Sequence, residues 1–355
     1  MTATLPEDQR LAGISARAFE HPADRAATAA LKGIPMLDVV VKKLTELGYE
    51  RAFNQELVAG ALQLGERQLP QAWADHVAAY TRLDLQPVPT LYMTQMPFAN
   101  AAAVGAGRPL VIVNSHTVEL LDRQELRTVL GHEAGHVLGE HIMYRTALLI
   151  LLRLSGLGRI GLLAGLPLLG VRLALLEWFR AAELSADRAA TLVNRDPLVT
   201  CRTLMVLAGG LPSSQLELDP FLEQGRTYRE AEGLDRLTRL RSELALTHAR
   251  PVKRVHELMK WVQSGEYDRI VSGEYVRRGQ EPGAREEADA ATEHYAERFR
   301  QLFKEAGEGV SQLGEQLADA TGKASGTASD AADRFSEWLR GRRGGNGDGG
   351  EDGGA

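Results

Sequence analysis

Several protein classes are excluded by what this 355-residue sequence has little of. There is one cysteine, Cys201, so no intramolecular disulfide can form, and it sits in the apolar stretch 201–207 where a buried, unreactive thiol is expected. There is no basic excess. Its 41 Lys and Arg against 47 Asp and Glu leave a formal charge of -6, which argues against a nucleic-acid partner, because binding phosphates needs a basic face. The first residues lack a basic segment followed by an apolar one, so no secretory signal is read there, and the chain is expected in the cytoplasm, either free or against the inner face of the membrane. The leucine-rich segment 146–179 has no uncharged run approaching the roughly 20 residues of a spanning helix. Its longest is the 12 residues from Ile160 to Val171. Internal repeats are also lacking. What remains, 44% hydrophobic and 25% charged, is enough to bury a sizeable core.

Residues 1–33 are Ala-rich and charged and read as an N-terminal arm or a short helix. From Pro35, Met36, Leu37, Val40, Val41, Leu44 and Leu47 recur at helical spacing and Gly48 supplies a stop. Further helices are predicted over 54–68 and 71–82. After Pro87 and Pro89 the period changes, and 91–93, 100–104 and 110–113 read as short strands, with a turn at 105–107. Residues 281–318 are charged and helical in pattern, and the Gly-rich end of the chain cannot bury a core and is expected to be disordered. The organisation expected is an arm (1–33), a domain (34–280) and a tail (281–355). The domain is expected to be α+β, mostly helical, with a small sheet beside the helix that carries the chemistry.

That helix begins at Asp122, which with Glu125 has the spacing of a capping box, and continues through the apolar stripe Leu126, Val129, Leu130, Val137 and Leu138. His132 and His136 lie one turn apart and project from one side. Two imidazoles so placed can share one tetrahedral metal, while Glu133 is displaced enough for its carboxylate to reach a metal-activated water without ligating the metal. With nine histidines and 47 acids, a shuffled chain would contain His-acid-x-x-His about 0.03 times. Downstream, 175–188 reads as an amphipathic helix with Glu183 and Asp187 on one face. Glu183 could complete a His-His-Glu site and Asp187 could hold the free nitrogen of a ligand histidine. The competing reading is two solvated acids paired with Arg180 and Arg188.

His132-Glu133-Ala134-Gly135-His136 followed by Ala182-Glu183-Leu184-Ser185-Ala186-Asp187-Arg188 resembles the zinc metallopeptidase family that contains HtpX and the CAAX prenyl proteases. The resemblance reaches upstream to Asn100-Ala101 and Pro109 to Val113, and downstream to Thr247-His248 and Arg254, covering about residues 85 to 260. It implies a zincin-like fold and zinc endopeptidase activity, with one zinc per chain, Glu183 as third ligand, Asp187 behind the ligands, and His248 and Arg254 near the reacting carbonyl. Where the family usually has His-Pro, this chain has His248-Ala249, with proline delayed to Pro251.

The chemistry expected is hydrolysis of a protein or peptide substrate, with Glu133 as general base and the substrate backbone laid against an exposed edge strand, Leu110, Val111, Ile112 and Val113, near Asn100, the alternative being that this strand is interior or a capped edge. Two rivals are a metal hydrolase of non-peptide substrates and a catalytically restrained or inactive member that serves as a metal-binding interaction protein. Finally, residues 146–179 are denser in leucine than one amphipathic helix requires, interrupted by Arg153, Arg159, Arg172 and Glu177. A hydrophobic helical hairpin is expected there, covering the cleft or dipping into one membrane leaflet, with a buried core hairpin as the alternative.

Overall fold

The computed structural model describes residues 10–33, 37, 41, 48–105, 109–156, 165–227 and 249–281. Most of the predicted helix from Met36 to Leu47, the turn at 106–107, His248 and the tail beyond residue 281 lie outside the described residues.

Helix α1 (Pro22–Lys32) starts where His21 Nδ1 accepts the Ala23 N–H at 3.1 Å and Pro22 pre-sets the first turn. Its inner face, Ala27, Ala30 and Leu31, is buried. Of the arm or short helix read over residues 1–33, the described part contains this helix, and Ile14, Phe19 and Leu31 are core residues, too widely spaced among alanines and charges to show a period in the sequence. Helix α2 (Tyr49–Ala59) ends at Gly60, earlier than the predicted 54–68, and the chain after it extends into strand β1 (Leu62–Gln63). Helix α3 (Pro70–Arg82) matches its prediction.

Strands β2 (Thr90–Thr94), β3 (Ala101–Val104) and β4 (Leu110–Asn114) complete a four-stranded sheet of order β1-β2-β4-β3. Strand β4 runs parallel to β2, with Leu91 beside Val111, and antiparallel to β3, with Ala103 beside Val111. The expectation that Leu110 to Val113 forms an exposed edge is thus overturned. Both edges of β4 are paired, one to β2 and the other to β3, so its backbone groups are already bonded within the sheet. The edge on this side is β3.

After α4 (Ser115–Leu120), helix α5 (Arg123–Leu138) opens on the predicted capping box: Asp122 Oδ1 accepts the Glu125 N–H at 2.8 Å and Glu125 Oε2 accepts the Asp122 N–H at 2.9 Å. It ends at Gly139, and Glu140, at φ 57°, turns the chain into α6 (Ile142–Gly156). The 30-residue α7 (Gly165–Asn194) lies along α5. Their approach depends on Gly135, where a Cβ would fall 2.6 Å from the Ala189 Cβ and 3.1 Å from the Ala186 Cα. Helices α8 (Pro197–Gly209), α9 (Leu218–Thr227), α10 (Pro251–Gln263) and α11 (Glu266–Val271) follow.

Two apolar clusters hold these elements. One joins the sheet to α3, α5, α8, α10 and the end of α7 through Leu91, Val111, Leu130, Val193 and Val255. The other joins α1, α6 and the first half of α7 through Leu31, Leu148, Leu151, Leu175 and Trp178. The described base of the leucine-rich hairpin is thus buried against α1, as the core alternative expects; residues 157–164 lie outside the described residues. Among the described residues no helix is long and apolar enough to cross a membrane.

Candidate active site

The helical period brings His132 and His136 together on α5, with Nε2 atoms 3.2 Å apart. Helix α7, held close by Gly135, delivers Glu183 Oε1 to 3.1 Å from His136 Nε2 and 3.5 Å from His132 Nε2. A tetrahedral zinc with ligands at about 2.0–2.1 Å separates its ligand atoms by about 3.3 Å. The three observed edges match one face of that tetrahedron, so the donor set fits the ion. Surface pairing of the two acids does not occur: Arg180 pairs with Glu177, and Arg188 reaches the Phe19 carbonyl at 3.3 Å and lies over the Trp261 ring.

The far nitrogen of each imidazole is also held. His132 Nδ1 lies 3.1 Å from Asp187 Oδ1. His136 Nδ1 lies 3.0 Å from His141 Nδ1, and His141 Nε2 lies 3.1 Å from Asp24 Oδ2. Both rings therefore keep Nε2 for the point where His132, His136 and Glu183 converge. Burial depresses the basicity of both, but at His132 the Glu183 and Asp187 carboxylates outweigh it and push the pKa up to about 9. At His136 burial and the Arg145 guanidinium hold it well below the usual range. Burial would raise the Asp187 pKa, yet Arg254 and His132 keep it below that of an ordinary carboxyl. An acid-rich pocket that draws a proton onto His132 is one that favours a cation.

Glu133 Oε2 accepts the Ala103 N–H of β3 at 2.6 Å and an Arg145 Nη1–H at 2.6 Å. Arg145 Nη2 also reaches the Ala101 carbonyl at 3.3 Å, and its guanidinium lies over the Phe179 ring. The expected residues divide as follows. Asn100 lines the cleft, and its Oδ1 accepts the Ala101 N–H at 2.9 Å. Leu110 to Val113 do not line it, since β4 is interior. Arg254, expected near the reacting carbonyl, gives Asp187 two hydrogen bonds of 2.7 and 2.6 Å and pairs with Glu183 Oε2 at 3.2 Å. Its guanidinium is engaged by carboxylates behind the ligands, though the residue remains on the cleft wall. Sequence reasoning missed Asp24, His141 and Arg145. Three histidines within residues 132–141 were a signal, but the turn at Gly139 and Glu140 breaks the helical projection that would have placed the third.

The cleft, of about 430 Å³, has polar floor residues His132, Glu133, Glu183 and Asp187, and apolar walls that include Phe98, Val129, Leu204 and Leu207. It can seat a peptide over a bound metal with a carboxylate alongside.

Residues 66–262 match the family described as Peptidase family M48. Over 265 residues the chain is 36% identical to the plastoglobule-localized metallopeptidase 48, chloroplastic, of Arabidopsis thaliana, covering 71% of this chain and 74% of that relative. It is 27% identical over 219 residues to a protease HtpX homolog of Paenarthrobacter aurescens (strain TC1), covering 55% and 74%, and 26% identical over 211 residues to one of Ralstonia pickettii (strain 12J), covering 51% and 70%. No solved structure matches. The family match takes in more than half of the sequence, including both helices that meet at the cleft floor, and the chain therefore belongs to peptidase family M48, as a metalloprotease that hydrolyses peptide bonds.

Proposed function

We propose that the chain is a zinc-dependent metalloendopeptidase in which His132, His136 and Glu183 hold one zinc and Glu133 is the general base. The observation that carries this reading is the convergence of the three donor atoms at 3.1 to 3.5 Å, with Glu133 beside them on the cleft floor. When bound, zinc polarises the scissile carbonyl and brings the pKa of water to about 7. Glu133 takes the proton from the attacking water and returns it to the leaving amine. The Ala103 N–H and Arg145 both bind Oε2, so they orient the carboxylate and leave Oε1 to carry that proton. Asp187 keeps His132 turned toward the centre, and Arg254 keeps Asp187 charged. His248 lies outside the described residues; a donor role toward the developing oxyanion is carried by the family resemblance alone.

Substrate addition to the sheet is reassigned from β4 to the neighbourhood of β3. The Ala101 carbonyl and Ala103 N–H of β3 are already bonded to Arg145 and Glu133, so an extended peptide would run along the cleft beside them rather than extend the sheet at that point.

The test is Glu133→Gln. It should retain one zinc per chain and lose about 10²- to 10⁴-fold in turnover on a peptide library, while Glu183→Ala should lose the metal. Undiminished proteolysis by the first variant, or full zinc content in the second, would overturn the assignment.

A further inference from the structure

We infer that Asp24 and His141 form a positioning relay for the metal ligand His136, so that the N-terminal helix α1, which lies outside the residues matched by the family, is part of the metal centre. This rests on the zinc reading above and extends it to residues not assigned there.

Each ligand histidine needs its Nδ1–H accepted so that Nε2 stays free. His132 meets a carboxylate directly. His136 meets another imidazole, His141, at 3.0 Å between Nδ1 atoms. Two imidazoles can share that contact only if one nitrogen is protonated and the other bare. With Nε2 of His136 turned to the centre, the proton belongs to His136 Nδ1, and His141 must carry its own on Nε2. Asp24 Oδ2 stands 3.1 Å from that nitrogen. The Asp24 carboxylate is itself fully buried and fixed: Ser185 Oγ–H donates to Oδ2 at 2.6 Å, and Thr28 Oγ1–H to Oδ1 at 3.2 Å. Thr28 Oγ1 accepts the Trp178 indole N–H at 2.8 Å, and Ser185 Oγ accepts the His21 N–H at 2.9 Å. Donors converge on one carboxylate, which points through His141 at the ligand.

Gly139 supplies an independent sign that the His141 ring has a reserved place. A Cβ at that position would meet the ring at 2.6 Å (Cε1) and 2.7 Å (Nε2). The ring lies where a side chain at 139 would otherwise go, and it is walled by Trp178, edge-on with centroids 5.6 Å apart. Gly139→Ala therefore disturbs the relay without altering a polar group.

The experiment is a chelator-competition titration of zinc with the full chain and its Asp24→Asn, His141→Leu, His141→Asn and Gly139→Ala variants, alongside melting of the zinc-free proteins. Asp24→Asn, His141→Leu and Gly139→Ala should bind zinc about 10- to 100-fold more weakly, at temperatures below the zinc-free melting transition of each variant, so that the loss is read on folded protein. His141→Asn should recover part of the loss, because its Oδ1 takes the place of Nδ1 and still accepts from His136. Zinc affinities of Asp24→Asn and His141→Leu within twofold of the parent's would overturn the relay while leaving the zinc assignment intact; a parent chain that binds no zinc would overturn both. Should a variant fail to fold, 15N histidine spectra of the zinc-loaded parent decide the matter. A proton on His141 Nε2 supports the relay, and one on Nδ1 refutes it.

Discussion

At the scale of single residues, the decisive feature is how completely the charges around the centre are partnered. Arg254 binds both Asp187 oxygens and pairs with Glu183 in a buried setting. Replacing it with leucine leaves two buried carboxylates without their cation, a change that costs about 3–5 kcal/mol. Urea unfolding of Arg254→Leu should show that loss. If stability were unchanged while kcat/KM collapsed, Arg254 would belong at the reacting carbonyl after all. His76, on α3, is a buried histidine of a different kind: its Nε2–H donates to the Pro89 carbonyl at 2.9 Å, and burial holds its pKa down to about 4 against an ordinary 6.5. The fold therefore requires the neutral ring. Its contribution is fully present above pH 6.5 and is lost as the pH falls toward 4, amounting to about 2 kcal/mol by pH 5. Unfolding free energies at pH 7 and pH 5 should differ by that much more in the parent than in His76→Gln. An equal acid dependence in both would discard this account. Cys201 is fully buried and its thiol is pushed up to about 12 by burial, with Asp187 and Asp196 adding to the effect, in keeping with the unreactive thiol expected from the sequence.

At the scale of elements, the α5–α7 pair sets the site and the α6–α7 pair sets its surroundings. Gly135 lets α5 and α7 approach closely enough for Glu183 to reach two histidines on the other helix. The first half of α7, with α6, carries the leucines whose density suggested membrane contact. Leu148, Leu151, Val171 and Leu175 are instead buried together with α1, which removes them from any lipid-facing role. Carbonate washing should release the full chain from membranes of expressing cells. Extraction only by detergent would mean that the leucine-rich segment enters the bilayer.

At the scale of the whole molecule, His132, His136 and Glu183 sit where the two apolar clusters meet, with one cluster supporting α5 and α8 and the other supporting α1, α6 and the first half of α7. This explains which parts were legible beforehand. The mostly helical class, the small sheet, the capped helix with His132 and His136, and the helix with Glu183 and Asp187 all rest on patterns within about 15 residues, where backbone geometry alone relates one side chain to the next. The packing of residues 10–33 was not legible, because scattered apolar residues become core only when distant elements cover them. Nor was the central place of β4, because a run such as Leu110 to Val113 reads alike whichever strands flank it.

What the sequence determined by itself is the set of local relations: one turn between His132 and His136, one turn between Glu183 and Asp187, and the cap at Asp122. Each follows from the 3.6-residue period or from a single turn of backbone and holds wherever the helix goes. Only the tertiary structure decided that His136 would meet Glu183 across a separation of 47 residues, that Arg145 would hold Glu133, that Arg254 would bind Asp187 from the cleft wall, and that Asp24 would reach the centre through His141. Those pairings depend on the distance and rotation between helices. These are set by close approaches such as Gly135 against Ala189 and by the filling of two cores, and no spacing along the chain records them.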